Sequence, residues 1–229
     1  MSFDVQHIRA DFPVLAEIIN GQPLVYLDSA NTSQKPNAVI NAMTTFMQHA
    51  YGPTNRSAYK LASDATDAFE GARAKVAAFI NAPAVHEVVF TKNATESLNL
   101  IVRTWGTQNL NKGDVVVLTH MEHHANIVPW QMLAAEKGFT IRWVPLTEDG
   151  LLDLSDLDTL LTGAKAFSFT SMSNVLGTIN PVKELCARAH KHGAIAIVDG
   201  CQSVPHMHTD VQDWDADFVV FSSHKMVGP

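Results

Sequence analysis

Lys225 closes the run Ser222-Ser223-His224-Lys225, which follows the apolar stretch Asp217 to Phe221. A free lysine amine has a pKa of about 10.4. Desolvation and a neighbouring cation lower it and give the neutral amine that forms Schiff bases. The plain alternative is an exposed loop lysine. Asp199 sits at the end of another apolar stretch, Ala194 to Val198. A carboxylate there needs a cation or several donors, unless it is a turn residue ahead of Gly200. Gln202, three residues on, could face the same way and donate to an oxygen. Ala94-Thr95-Glu96 opens a helix pattern, where free backbone N–H groups and the Thr95 hydroxyl suit a phosphate; Thr95 could equally be an N-cap. Ser222 and His224 could donate to the same phosphate. A Schiff-base lysine, an aspartate for a pyridinium nitrogen and a helix start for a phosphate form the set that pyridoxal 5'-phosphate requires.

A histidine cluster, His120, His123 and His124 with Glu122 among them, allows three readings. Zinc sites use histidine, and His206 and His208 add candidates, but no HExxH helix is present. His123 as an aromatic lid over a ring is a second reading. Polar loop residues are a third, and for His206 and His208 the one adopted. No GxGxxG, P-loop or GxSxG motif occurs. Two cysteines, Cys186 and Cys201, imply neither a disulfide framework nor a Cys-rich zinc site.

These residues need a scaffold that brings distant segments to one edge. Short apolar runs at Glu87 to Thr91, Val115 to Thr119, Thr140 to Val144, Ala166 to Thr170, Ala194 to Val198 and Asp217 to Phe221 read as strands. Helix patterns lie at Glu96 to Trp105, Ile127 to Lys137, Leu154 to Leu161 and Val182 to His192. Near-continuous Val, Ile and Phe mark strands buried on both faces, and the alternation predicts a parallel, doubly wound sheet. Ligands bind past the carboxyl ends of such strands, where five of the runs carry polar clusters. Upstream, Val5 to Phe12 reads as a short helix. Asn20-Gly21 reads as a hairpin turn before the strand-like Leu24 to Leu27. A helix starts near Pro36, and a long one begins at Leu61.

With 16 Lys and Arg against 23 Asp and Glu, and no basic run, electrostatic nucleic-acid binding is disfavoured. Charged residues make up 17%, below the usual quarter, which fits a subunit that hides surface against a partner. No secretory signal or bilayer-length apolar run is present, so a reducing cytoplasm is expected, and the sequons at Asn31, Asn55 and Asn93 read as coincidence. The chain stops at Gly228-Pro229, just after a strand and a polar loop, and looks cut.

Several segments, in order along the whole chain, resemble Suf-type cysteine desulfurases, which are class V aminotransferase-like enzymes of fold type I. They are Arg9 to Pro13, Tyr26 to Ala30, Met121-Glu122-His123-His124-Ala125-Asn126-Ile127-Val128-Pro129-Trp130-Gln131, Ser173 to Thr178, Val198 to Ser203 and Ser222 to Pro229. The resemblance implies an α/β large domain with a mainly parallel sheet flanked by helices and an N-terminal helical and hairpin arm. Residues 1–60 would form the arm and the start of small-domain and dimer contacts. Residues 61–229 would form the cofactor-binding domain, with a C-terminal domain absent. It also implies a homodimer that converts L-cysteine to L-alanine, leaving a persulfide on an enzyme cysteine. The sulfur would pass to a Suf acceptor protein for iron–sulfur cluster assembly.

By position in the resemblance, Lys225 would hold the cofactor and move protons, and His123 would stack on its ring and assist acid–base steps. Asp199 would pair with the ring nitrogen and Gln202 bond the phenolic oxygen. Ala94, Thr95, Ser222 and His224 would hold the phosphate. Asn174 would lie near the substrate carboxylate and the ring oxygen. Three departures stand out. Asn55 and Tyr59 replace two family histidines, and Ser223 replaces a common glycine. The persulfide cysteine and a carboxylate-binding arginine would lie beyond Pro229, since neither Cys186 nor Cys201 matches that cysteine. A selenocysteine lyase, an aminotransferase, a kynureninase-like hydrolase, or a non-catalytic cofactor-binding fragment are the alternatives.

Overall fold

A two-residue hairpin loop twists correctly when both loop residues have positive φ, and Asn20 (53°) and Gly21 (74°) both do. They join β1 (Ile18–Ile19) to β2 (Gln22–Pro23) in antiparallel pairing. The computed structural model describes residues 3–54 and 57–229. It divides into two compact units, Met1–Ala78 with Ser223–Pro229, and Phe79–Ser222. Asn55 lies outside the described residues.

In the first unit, α1 (Val5–Ala10) starts where the Asp4 carboxylate accepts the Gln6 and His7 N–H groups. The hairpin strands stop at Pro23, and Leu24 to Leu27 is irregular rather than a strand. Its apolar alternation finds no ladder, and Val25 and Leu27 are 74% and 91% exposed. Then come α2 (Asn37–His49), beginning directly after Pro36, and α3 (Lys60–Phe79). The 3.6-residue period of α3 is as read, but its buried stripe is Ala62, Ala65 and Ala77, with Leu61 and Phe69 exposed. Small residues allow close approach there, whereas the large ones face out. The long helix groups with the N-terminal arm, and the first unit runs to Ala78.

The second unit begins with a correction. Glu87 to Thr91 is not a strand: a 3-10 turn, Val85–Glu87, leads into irregular chain. Its apolar pattern is not matched by burial on both faces, since Val89 is 65% exposed. Helix α4 (Ala94–Ile101) follows; it passes through a π-turn, Val102–Gly106, into the short α5 (Thr107–Asn109). Next come β3 (Val115–Thr119), α6 (Val128–Lys137), β4 (Thr140–Val144), α7 (Leu157–Leu161), β5 (Ala164–Thr170), α8 (Val182–Lys191), β6 (Ile195–Asp199), α9 (Val211–Trp214) and β7 (Phe218–Val220).

The five long-range strands form one parallel sheet in the order β4-β3-β5-β6-β7. Alternation along β3 distributes its side chains to two cores. Val115 and Val117 pack with Leu157, Leu161, Leu185 and Ala189 of α7 and α8. Val116 and Leu118 pack with Leu98, Trp130 and Leu133 of α4 and α6. Helices therefore cover both faces, which is why the strands carry unbroken apolar runs. The strand order reverses between β3 and β5, so the crevice of such a sheet opens outside Thr119 and Thr170.

Candidate cofactor and catalytic site

Register sets the polar clusters level within the second unit. Thr170 pairs with Asp199, and Asp199 with Val220. Gly200 N–H continues the ladder by donating to Val220 O (2.8 Å). The Asp199 side chain is 5% exposed, and its Oδ1 accepts the Cys201 N–H at 2.9 Å. Asp199 thus makes a turn contact and is a buried carboxylate with no ion pair among the described residues. Its main-chain carbonyl accepts Ser171 N–H and Ser171 Oγ, both at 2.9 Å, and Ser171 Oγ lies 2.6 Å from Ser203 Oγ. Gln202 is buried in the same turn, and Cys201 is half-buried.

The start of α4 meets the end of β7. Ala94 N–H donates to Ser222 Oγ at 2.9 Å, and Ser222 is 5% exposed. Having accepted that N–H, the Ser222 hydroxyl keeps its own proton for an acceptor. The N-cap of α4 is Asn93, not Thr95: Asn93 Oδ1 accepts Glu96 N–H at 3.0 Å, while Glu96 Oε2 accepts Lys92 N–H. Thr95 is exposed in the first turn, free of the capping role. Asn93, one of the three sequon positions, thus has a helix-capping role.

His123 caps the 3-10 turn His124–Asn126, and its Nδ1 accepts Ala125 N–H at 3.1 Å. That contact requires Nδ1 to be unprotonated, so a neutral His123 carries its proton on Nε2. The ring is exposed. His120 packs on Trp143 instead (5.4 Å between ring centres). Among the described residues, no three His, Cys, Asp or Glu side chains converge as a metal site. Asn174 sits exposed in the turn from Ser173 to Gly177.

Sequence reasoning missed a buried carboxyl held by three donors. Glu122, singled out only as a possible metal ligand, is buried between β3 and β5. Its Oε1 accepts the Thr119 hydroxyl (2.5 Å) and Thr170 N–H (2.9 Å), and Oε2 accepts Asn126 Nδ2 (2.7 Å). Burial drives its pKa up to about 8, the Asp199 charge adds to the rise, and the three donors oppose it. The signal available beforehand was a Thr119-x-x-Glu122-x-x-x-Asn126 spacing just past an apolar strand.

In the first unit, Ser223–Lys225 forms a 3-10 turn, with Lys225 half-buried. The His224 carbonyl accepts from Ser33 N–H (2.9 Å), Thr32 Oγ1 (3.0 Å), Ser33 Oγ (3.0 Å) and Lys35 Nζ (2.8 Å). Burial, then the Lys225 and Lys35 charges, hold the His224 imidazole below its usual range. The ring's Nδ1 lies 3.2 Å from Thr32 Oγ1. Ser223, at the position of a common glycine, donates its hydroxyl to Pro229 O at 2.6 Å and so closes the loop. Tyr59 is exposed, with its carbonyl accepting the Ala62 and Ser63 N–H groups at the start of α3.

Fold and site chemistry together define an α/β protein of the fold type I class, in which parallel strands deliver polar groups to one edge. Residues 25–229 match the aminotransferase class-V family, and the chain belongs to it. It is similar over its whole length to the cysteine desulfurases of Pectobacterium atrosepticum (49% identical) and Enterobacter sp. (50% identical), covering 56% and 57% of them. Among solved structures, the apo cysteine desulfurase of Thermococcus onnurineus aligns with a TM-score of 0.92 and the Escherichia coli cysteine desulfurase CsdA with 0.88. Each is 37% identical, over 100% of this chain and 56% of the other. The chain thus spans about half the length of the relatives it matches.

Proposed function

We propose that the protein works as a pyridoxal-phosphate-dependent cysteine desulfurase, and that these 229 residues carry its cofactor-holding set. The observation that carries the proposal is the Asp199 carboxylate. It is buried at a strand end without an ion pair among the described residues, in a chain about half identical to cysteine desulfurases. A protonated ring nitrogen is the cation such a group calls for. The Ser222 hydroxyl, with Thr95 at the start of α4, fits an anionic phosphate oxygen. When bound, the cofactor supplies an electron sink for the carbon skeleton of an amino acid. Lys225 is assigned the covalent attachment and the proton transfers at the substrate carbon. His123, with Nδ1 engaged by the Ala125 N–H and its proton therefore on Nε2, is assigned to stack on the ring and deliver a proton. Gln202 is assigned to the ring oxygen, His224 and Ala94 to the phosphate region, and Asn174 to the substrate carboxylate.

The net reaction balances without an outside oxidant. A thiol and L-cysteine give L-alanine and a persulfide: the substrate C–S bond breaks, an S–S bond forms, and a proton goes to carbon. The thiolate needed is assigned to a cysteine outside these residues. Cys186 is fully buried in α8 with its thiol pushed up to about 12, and Cys201 is tied into the Asp199 turn. A thiol held protonated is a poor nucleophile. Delivery of the persulfide sulfur to a Suf acceptor for iron–sulfur clusters, a cytoplasmic setting and a homodimer complete the reading. The homodimer is supported by Ile40, Met43 and Met47, exposed on one face of α2.

The test is chemical mapping of the lysine. The protein is loaded with pyridoxal 5'-phosphate, reduced with borohydride and digested. The pyridoxyl label is expected on Lys225 and absent from Lys225→Ala. A label on any other lysine would overturn the assignment.

A further inference from the structure

Glu122 has no role in the reading above, yet it occupies the point where the strand order reverses. Its carboxyl joins three elements: the end of β3 through Thr119, the end of β5 through Thr170 N–H, and the His123 turn through Asn126. We infer that Glu122 is a positioning residue, clamping the His120-to-Asn126 loop onto the two strand ends and thereby fixing the His123 ring. The inference rests on the assignment of His123 to the cofactor ring.

The polarity of the clamp follows from donors that cannot reverse. Trp130 Nε1 only donates, and it lies 3.3 Å from Asn126 Oδ1, which also accepts the Ser168 hydroxyl at 2.6 Å. Asn126 must therefore turn its NH2 toward Glu122. Thr170 N–H likewise only donates. Both carboxyl oxygens thus serve as acceptors, and only the Thr119 hydroxyl can reorient. His123 lies between the two clamped residues. Its carbonyl accepts Asn126 N–H at 2.8 Å, and its Nδ1 accepts Ala125 N–H at 3.1 Å. With residues 122 and 126 pinned at both ends of the turn, the His123 backbone and ring have one arrangement.

Glu122→Gln keeps the shape but sets an NH2 group against Asn126 Nδ2 or Thr170 N–H. Adding Asn126→Asp restores every donor–acceptor pair with the amide and carboxylate exchanged. The measurements, on the cofactor-free chain, are hydrogen exchange at the Ala125 and Asn126 amides and the His123 ring resonances by NMR. Glu122→Gln is expected to speed exchange at those two amides at least about tenfold, beyond any change at the β6 amides, and to shift the His123 ring signals. That ratio corresponds to about 1.4 kcal/mol of local opening. The double variant is expected to return both readouts to wild type. If Glu122→Gln does not fold, the double variant decides alone by the same two readouts. Wild-type exchange and ring signals in Glu122→Gln, or a double variant that stays perturbed, would overturn the clamp. Both readouts are independent of turnover, so a full-length protein that fails to desulfurate cysteine would sink the functional reading and leave the Glu122 clamp standing.

Discussion

At the scale of single residues, one buried carboxyl past the ends of β3 and β5 has its proton affinity set by its surroundings. Glu122 is enclosed, and its pKa rises to about 8 against an ordinary value of 4.5. Because the folded-state value is the higher one, the folded protein holds an extra proton between those two values. The contribution to stability is complete below about pH 4.5 and is lost as the pH rises through about 8. Each unit of displacement corresponds to about 1.4 kcal/mol. Urea midpoints measured across that window should fall with rising pH, and Glu122→Gln should flatten the fall. An unchanged pH slope in the variant would assign the dependence to other groups.

At the scale of elements, the Asp199 turn depends on the absence of a side chain at the next position. A Cβ on Gly200 would lie 2.9 Å from Val204 Cγ2 and 3.4 Å from Val220 O. Val204 is 1% exposed and β-branched, so it has little room to yield. Gly200→Ala is expected to cost about 1–3 kcal/mol, the usual range for overpacking, read as a lower urea midpoint at unchanged slope. A midpoint equal to wild type would show that Val204 relaxes freely. The capping of α4 is a similar local device. Asn93 and Glu96 bond across the first turn, so that Ala94 N–H is available to Ser222.

At the scale of the whole molecule, the thiols decide what the 229 residues do by themselves. Incubated with pyridoxal 5'-phosphate and L-cysteine, this chain is expected to yield neither alanine nor persulfide catalytically, since Cys186 is buried and protonated and Cys201 is held in a turn. Turnover that disappears in Cys201→Ser would instead make Cys201 the nucleophile.

The sequence by itself determined the parallel sheet, because strands buried on both faces must carry unbroken apolar runs, as Val115 to Thr119 and Ile195 to Asp199 do. It also determined the Asn20-Gly21 hairpin, since positive φ is a local property, and the identity of the residues clustered past each strand. Only the tertiary structure decided which apolar runs become strands. Glu87 to Thr91 and Leu24 to Leu27 look like strands and are not, because regular strand pairing is set by the rest of the fold and not by a local apolar pattern. It alone decided that Asn93 rather than Thr95 caps α4, since cap geometry depends on where the first helical residue falls. And it alone disclosed Glu122, whose importance comes from burial and from donors 3 residues before it and 4 and 48 residues after it in the chain. Charge in a low-dielectric interior is governed by the groups that enclose it, and those are brought together only by the completed fold.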